Sequence, residues 1–315
     1  MKLSARRGAV LVAASLLAPA TLAACGGSSS SSASGSSSAG KATTSVGVTV
    51  TGGFGDKPTL TVPSKAAPAK LTTDVLTAGS GPAVSNGQSV VVNYLGQTWD
   101  AKDGKANVFD NSYDRKTPFA TPIGKKAVIT GWDQALVGQK AGSRLLLTIP
   151  PALAYGAQQN ASQPLAGHTL LFVVDLLGSY DANATAKGTA AGSLPAGYPQ
   201  VRSTSGAVPT VTSVKGVKLA KDPQSALLLK GSGPAIDAKK NFVVQLVQVD
   251  AKTGKTTQST WGGVGPQVVS GSDLLQAATA FKTATVGSRA VVLGPKPTGS
   301  TTQAVVLVVD VLGEY

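Results

Sequence analysis

The feature that most constrains this chain is that it states one pattern twice. "GDKPTLTVP" at 55–63 returns as "GAVPTVTSV" at 206–214, and "AGSGPAV" at 78–84 as "KGSGPAI" at 230–236. "QSVVVNYLGQTWDAKDGK" at 88–105 returns as "KNFVVQLVQVDAKTGK" at 240–255, and "AGSRLLLTIP" at 141–150 as "VGSRAVVLGP" at 286–295. "LLFVVDLLGSY" at 170–180 closes the first copy as "VVLVVDVLGEY" at 305–315 closes the second. Matches in one order mark a duplicated unit. With 315 residues and 42% apolar content, the chain can bury two ordinary cores. The expected organisation is two domains, 46–180 and 201–315, joined by an Ala-, Gly- and Thr-rich linker over 181–200.

Ahead of the repeats lies a segment that does not belong to the fold. Lys2, Arg6 and Arg7 precede an apolar run over 9–17 and then small residues, which is the layout of an export signal over 1–24. Its end, "LAAC" at 22–25 followed by Gly26, resembles the bacterial lipobox, in which the cysteine thiol takes diacylglycerol and becomes the new N-terminus. Cys25 is the single cysteine, so the chain cannot form an internal disulfide. Next to it stand only serines, glycines and alanines, which offer no core in which to bury a thiol, so 25–45 is expected to be a disordered tether. Acyl chains contribute roughly 0.8 kcal/mol per buried CH₂, so several would hold the protein on the outer face of the cell membrane. No later run has the roughly 18 apolar residues of a spanning helix.

The net charge of +13 is spread along the chain, and its lysines are not clustered with stacking aromatics. In an exported protein this predicts a solvated surface with weak attraction to anionic lipid or wall polymers, and no nucleic-acid partner.

Each copy has the periodicity of β-strands around one helix. Val90, Val92 and Tyr94 alternate with Val91 and Asn93, and Leu170, Phe172, Val174 and Leu176 alternate likewise. "SRLLLTI" gives a third strand, ended by Pro150 and Pro151, which cannot donate to a ladder. A Thr130-to-Asp133 capping pattern opens the helix and Gly138 suits its exit. Trp132, Ala135 and Leu136, at i, i+3 and i+4, share the helix face that must meet the sheet.

"VVVNYLG", "NVFDNSYDRKTPF", "AVITGWDQALVGQKAGSRLLLTIPPALAYG" and "HTLLFVVDLLGSY" resemble the FKBP-type peptidyl-prolyl cis-trans isomerases, the macrolide-binding family, over residues 90–180. The two-copy layout is similar to exported bacterial lipoproteins of that family. The resemblance implies an α+β fold of two FKBP-like domains, each an antiparallel β-sheet half-wrapped around a short α-helix, with a shallow apolar cleft. It also implies isomerisation of X-Pro segments of exported proteins, and binding of macrolide inhibitors.

That chemistry twists an amide and neither makes nor breaks a covalent bond, so no metal, cofactor or nucleophile is expected. An apolar cleft favours the twisted amide, which has lost its charge separation. By the resemblance, Trp132 is the floor beneath the proline ring, and Tyr94, Phe109, Phe119, Val128, Ile129 and Phe172 are the walls. Tyr155 would bring its hydroxyl to a substrate carbonyl, as would the Ile129 backbone N–H. Asp110, held by Tyr94 and Arg115, would orient and stabilise rather than attack. Phe109, Phe172 and Val128 are also what any core would contain, Trp132 alone could anchor a helix, and Asp110 alone could be a turn residue.

The second copy keeps the framework and loses these groups. Leu246 stands for Tyr94 and Ser272 for Trp132; Ser259 and Thr260 align with Phe109 and Asp110; "PALAYG" has no counterpart between Pro295 and Thr301. Activity is therefore expected in the first copy only. A binding or chaperone lipoprotein using the same cleft without turnover is the alternative, and a purely structural surface protein leaves the Tyr94, Asp110, Trp132 and Tyr155 set unexplained.

Overall fold

The computed structural model describes residues 41–100, 107–158, 163–218, 222–298 and 301–315. The expected signal segment 1–24, Cys25 and the tether as far as residue 40 lie outside the described residues. Chain order begins with three short strands, β1 (Lys41–Thr43), β2 (Thr49–Thr51) and β3 (Thr59–Thr61), so structure starts within the stretch expected to be tether. There follow β4 (Thr72–Thr77), β5 (Ser89–Thr98), β6 (Val108–Asn111), β7 (Phe119–Pro122), the helix α1 (Thr130–Ala135), β8 (Arg144–Ile149) and β9 (Leu170–Tyr180). Strand β8 ends where Pro150 begins, as a missing donor requires.

These strands form an antiparallel sheet in the order β4-β8-β9-β5-β6, with β7 also paired to β5. The alternation in β5 sorts its side chains onto two faces, and both are covered. Val90, Val92 and Tyr94 meet Trp132, Ala135 and Leu136 of the helical segment, so the i, i+3, i+4 stripe packs as its spacing predicts. Leu95, together with Leu146, Leu171 and Val173 of the neighbouring strands, meets Val48, Val50 and Leu60 of the β1–β3 sheet.

A buried ion pair fastens that back layer. Arg144 Nε and Nη2 donate to Asp175 Oδ1 and Oδ2 at 2.6 and 2.7 Å, and Nη1 and Nη2 reach the carbonyls of Gly52 and Asp56 at 2.6 Å. Gly55 N–H donates to Asp175 Oδ2 at 2.7 Å, so the β2–β3 turn closes on both members of the pair. Arg144 is 1% and Asp175 0% exposed. Charges so placed persist only when every lone pair and N–H is used.

The second half repeats this plan with β10 (Thr189–Ala190), β11 (Gln200–Arg202), β12 (Thr210–Ser213), β13 (Gln224–Lys230), β14 (Asn241–Asp250), β15 (Thr256–Ser259), β16 (Gln267–Ser270), α2 (Gly271–Ala277), β17 (Arg289–Thr298) and β18 (Thr301–Glu314). Its sheet order is β10-β13-β17-β18-β14-β15, with β16 also on β14. Strip away β10 and it matches the first sheet strand for strand. Arg289 and Asp310, both fully buried, pair at 2.5 and 2.7 Å and tie down the carbonyls of Thr204 and Ala207, as Arg144 and Asp175 tie the first layer.

Two details depart from the sequence expectations. The 181–200 segment does not hang free: β10 pairs with β13, the Ala184 carbonyl accepts from Trp261 Nε1 at 3.0 Å, and the Ala182 carbonyl accepts from Gln245 at 2.8 Å. The first helix has no side-chain cap. Ile129 occupies the N-cap position, and Asp133 instead accepts from the backbone N–H groups of Gly124 and Lys126, which tethers the preceding loop. In the second copy a side-chain cap does form, with Ser270 Oγ accepting from Asp273 N–H at 3.0 Å.

Candidate active site

Around Trp132 the first unit gathers aromatic rings from four elements. Tyr94 comes from β5, Phe109 from β6, Phe119 from β7 and Phe172 from β9. The indole lies 5.5 Å from Tyr94, 6.3 Å from Phe119 and 5.3 Å from Phe172, each edge to face, and Phe109 stands edge-on to Phe172 at 5.6 Å. This is the arrangement ring quadrupoles favour. Trp132 is 2% and Phe172 0% exposed, whereas Phe109, Phe119, Val128, Ile129 and Tyr155 are half-buried and pack against the same cluster. The expected floor is thus inside, together with two of the expected walls, Tyr94 and Phe172, while Phe109, Phe119, Val128 and Ile129 form a rim about it. The indole Nε1 is buried with no hydrogen-bond partner among the described residues.

Two glycines make this packing possible. A Cβ at Gly96 would strike the rings of Phe172 and Phe109, and one at Gly131 would strike Ile149. The first opens room in β5 for two phenyl rings, and the second lets α1 lie directly on β8. Glycine inside a strand pattern is the signal that would have pointed to Gly96.

Beside the rings lies a charged triad. The Tyr94 hydroxyl donates to Asp110 Oδ2 at 2.6 Å, Arg115 Nη2 donates to the Tyr94 oxygen at 2.8 Å, and Arg115 Nη1 closes the loop on Asp110 Oδ1. The guanidinium carbon also sits 5.5 Å from the centre of the Tyr94 ring. The Asp110 side chain is only 7% exposed, so its orientation is fixed by these two partners. Burial, and then the bond to Asp110, push the Tyr94 phenol well above its ordinary range. Burial, and then the charge of Asp110, raise Tyr155 as well, which places Tyr155 within the electrostatic reach of that carboxylate. Both phenols therefore remain proton donors at any physiological pH. The structure brings all ten sequence-predicted cleft residues, Tyr94, Phe109, Asp110, Arg115, Phe119, Val128, Ile129, Trp132, Tyr155 and Phe172, to this one side of the sheet. Cys25 lies outside the described residues.

The second unit has no counterpart. Leu246 occupies the place of Tyr94, since Leu246 N–H donates to Thr260 Oγ1 as Tyr94 N–H donates to Ser112 Oγ. That equivalence corrects the sequence alignment. Strand pairing sets Asp110 opposite Gly96 and Gln258 opposite Gln248, so Gln258 replaces Asp110 and Thr257 replaces Phe109, two places before Ser259 and Thr260. Gln248, the counterpart of Gly96, turns its amide onto Thr257 Oγ1 at 2.8 Å and takes the space of the lost ring. Strand β16 runs straight into α2, whereas seven residues, 123–129, separate β7 from α1 and include Val128 and Ile129. β17 and β18 join as one hairpin, Thr298 against Thr301, where the first unit carries the Pro151–Leu153 turn and Tyr155.

The family profile described as FKBP-type peptidyl-prolyl cis-trans isomerase matches residues 81–177, the stretch that holds every one of these rings. An FK506-binding protein of Streptomyces anulatus is 38% identical over 123 residues, spanning 39% of this chain and 96% of that protein. A probable FK506-binding protein of Corynebacterium glutamicum is 34% identical over 122 residues, 39% of this chain and 98% of its own. The FKBP-type peptidyl-prolyl cis-trans isomerase FkpA of Escherichia coli is 40% identical over 107 residues, 34% of this chain and 37% of its own. Relatives matched almost end to end, together with a profile lying over the ring cluster, place this chain in the FKBP-type peptidyl-prolyl cis-trans isomerases as an enzyme of that family.

Proposed function

We propose that this isomerase acts on X-Pro bonds of exported proteins at the outer face of the membrane, tethered by a lipid on Cys25, and that only the first unit turns over. The observation that carries the assignment to the first unit is the Tyr94, Asp110 and Arg115 triad against the Trp132 ring cluster. The second unit, read as a degenerate FKBP-like copy, has Leu246, Gln258 and Ser272 at those places.

The uncatalysed rotation is slow, tens to hundreds of seconds, because amide resonance must be broken. A prolyl ring that parts the half-buried rim and settles on the Trp132 face leaves water, and its twisted imide loses less there than the planar one. Tyr155 and the Ile129 N–H serve as donors to the peptide carbonyls, and the fixed Asp110 supplies a field at the rotating bond. The same ring-lined surface is where a macrolide would bind.

The test is the cis-to-trans relaxation of a short X-Pro peptide with the full chain. Acceleration by the native protein that disappears in Trp132→Ser supports the reading; relaxation unchanged at micromolar native protein rejects turnover. For the anchor, Cys25→Ala should release the protein into the medium, and membrane retention of that variant would reject lipidation.

A further inference from the structure

The two repeats touch through equivalent residues. Tyr180 and Tyr315 close the two matching "LGSY" and "LGEY" stretches, and their hydroxyls hydrogen-bond each other at 3.0 Å. Each tyrosine lies over the glycine two places before the other. A Cβ on Gly178 would run into the Tyr315 hydroxyl, and a Cβ on Gly313 into that of Tyr180. The exchange continues beyond the tyrosines. Asn241 donates to the Lys116 carbonyl at 3.1 Å, while its counterpart Ser89 lies against Gly265, the position that answers Thr117. Strands β7 and β16, which hold the same place in their sheets, lie side by side. When residue i meets j and the counterpart of j meets the counterpart of i, the contact has the form of an approximate twofold, the arrangement of an isologous dimer.

We propose that the second repeat serves as a built-in partner, seated where a second copy of the first repeat would sit, and that the Tyr180–Tyr315 lock makes it hold β7 in place. Strand β7 is an edge strand paired on one side to β5, and it carries Phe119, a wall of the cleft. An uncovered edge strand is free to fray or to pair with another chain, and β16 covers this one. A hollow of about 300 Å³, lined by Asn93, Pro118, Leu177, Asn241 and Tyr315 among others, lies beside the lock. The second repeat thereby keeps a use after losing its own cleft. Tyr180 and Tyr315 are positioning residues: they act on substrate only through β7 and Phe119. This part of the inference rests on the proposed function of the first unit.

The test uses the full chain with two variants, Tyr315→Ala, which keeps the backbone pairing of residue 315 to Asn241, and Gly178→Val, which blocks the tyrosine's seat. Each should speed amide exchange in 119–122 and 267–270 by at least about tenfold while β8 and β9 keep their protection, and should widen the small-angle scattering profile. In the peptide assay KM should rise roughly two- to tenfold with kcat unchanged, the signature of a binding wall set loose. Exchange and scattering unchanged in both variants would overturn the docking. Opening of the joint with KM unchanged would overturn the steadying of Phe119. Should Gly178→Val fail to fold, Tyr315→Ala decides alone. A native protein without isomerase activity would defeat the proposed function, while exchange and scattering would still judge the docking.

Discussion

The two repeats share a skeleton and differ in what they hold up. Both build the same antiparallel sheet order, both lay a short helix on one face and a small hairpin layer on the other, and both fasten that layer with a buried Arg–Asp pair. Where the first repeat places Tyr94, Phe109 and Asp110, the second places Leu246, Thr257 and Gln258, and in sequence Ser272 aligns with Trp132. The second repeat is thus a natural substitution experiment. It builds the sheet order, a back layer and a short helix without any of the cleft residues, which is the contrast that the variants below test.

Trp132→Ser puts into the first repeat the residue that aligns with it in the second and should have the largest effect on turnover. Removing the indole takes away the surface proposed to seat a prolyl ring. The expected loss is about 2 to 4 kcal/mol of transition-state binding, roughly 30- to 1,000-fold in kcat/KM. The cavity left among Tyr94, Phe119 and Phe172 should also cost the first unit about 3 kcal/mol of stability, read separately from its denaturant midpoint. Unfolding should stay cooperative, because Val90, Leu136, Leu145 and Leu147 still fill the core. Loss of the fold itself would return Trp132 to the core and dissolve the contrast between the repeats.

The ion pairs test the opposite side of the comparison, where the repeats should behave alike. Arg144→Met strands Asp175 without its guanidinium, and Arg289→Met strands Asp310, both at essentially no exposure. Each should destabilise its own unit by about 3 to 5 kcal/mol, since the remaining carboxylate stays buried. A denaturation series on both variants checks this. A large cost in one repeat and a negligible one in the other would show that the skeletons are less equivalent than their geometry.

Much of this was legible in the chain itself, and what was not has physical causes. The duplication, the strand periods in β5 and β9, the Trp132, Ala135, Leu136 stripe and the ring set were all visible, because spacing along a strand or helix survives in the sequence. Register across a hairpin does not. Ser259 and Thr260 looked like partners of Phe109 and Asp110, but the turns between β5 and β6 and between β14 and β15 differ in length, and pairing shifts the match by two. The first helix cap failed for a related reason: Asp133 found better donors in a loop, 123–129, that the second copy lacks. The back layer and its ion pairs went unread although a clue existed. A lone Arg and a lone Asp recur inside otherwise apolar strands of both copies, at 144 and 289 and at 175 and 310, and repeated charges in such strands call for partners.

Alkaline pH should separate the repeats without any mutation. Tyr94, Tyr113, Tyr155 and Tyr180 of the first unit all have their phenols raised, each chiefly by burial; on the second side burial raises Tyr198 and Tyr315, while Leu246 and Trp261 stand in the places of Tyr94 and Tyr113. A phenol raised in the folded state keeps its proton after the unfolded chain has begun to lose it near pH 10. Stability is therefore fully present below that pH and falls as pH rises toward the folded-state values. Between pH 9.5 and 10.5 each retained proton should cost about 0.7 kcal/mol, about 3 kcal/mol for the first unit together and roughly half that for the second. Calorimetry should show the first unit's transition moving down while the second's moves less, and equal shifts would contradict the assignment.

Tyr94→Phe should have the smallest effect and dissects the triad from the rings. The phenyl ring remains against Trp132 and Phe172, so the apolar surface is intact. Only the hydroxyl that donates to Asp110 and accepts from Arg115 disappears. Asp110 retains Arg115 as its partner, so the expected loss is that of one hydrogen bond, about 1 kcal/mol or roughly fivefold in kcat/KM. The same variant should remove one proton from the alkaline fall in stability, because the titrating group itself is gone. A loss as deep as that of Trp132→Ser would mean that the orientation of Asp110, and not the ring surface, dominates catalysis. An unchanged kcat/KM would mean that the triad steadies the first repeat alone and takes no part in turnover.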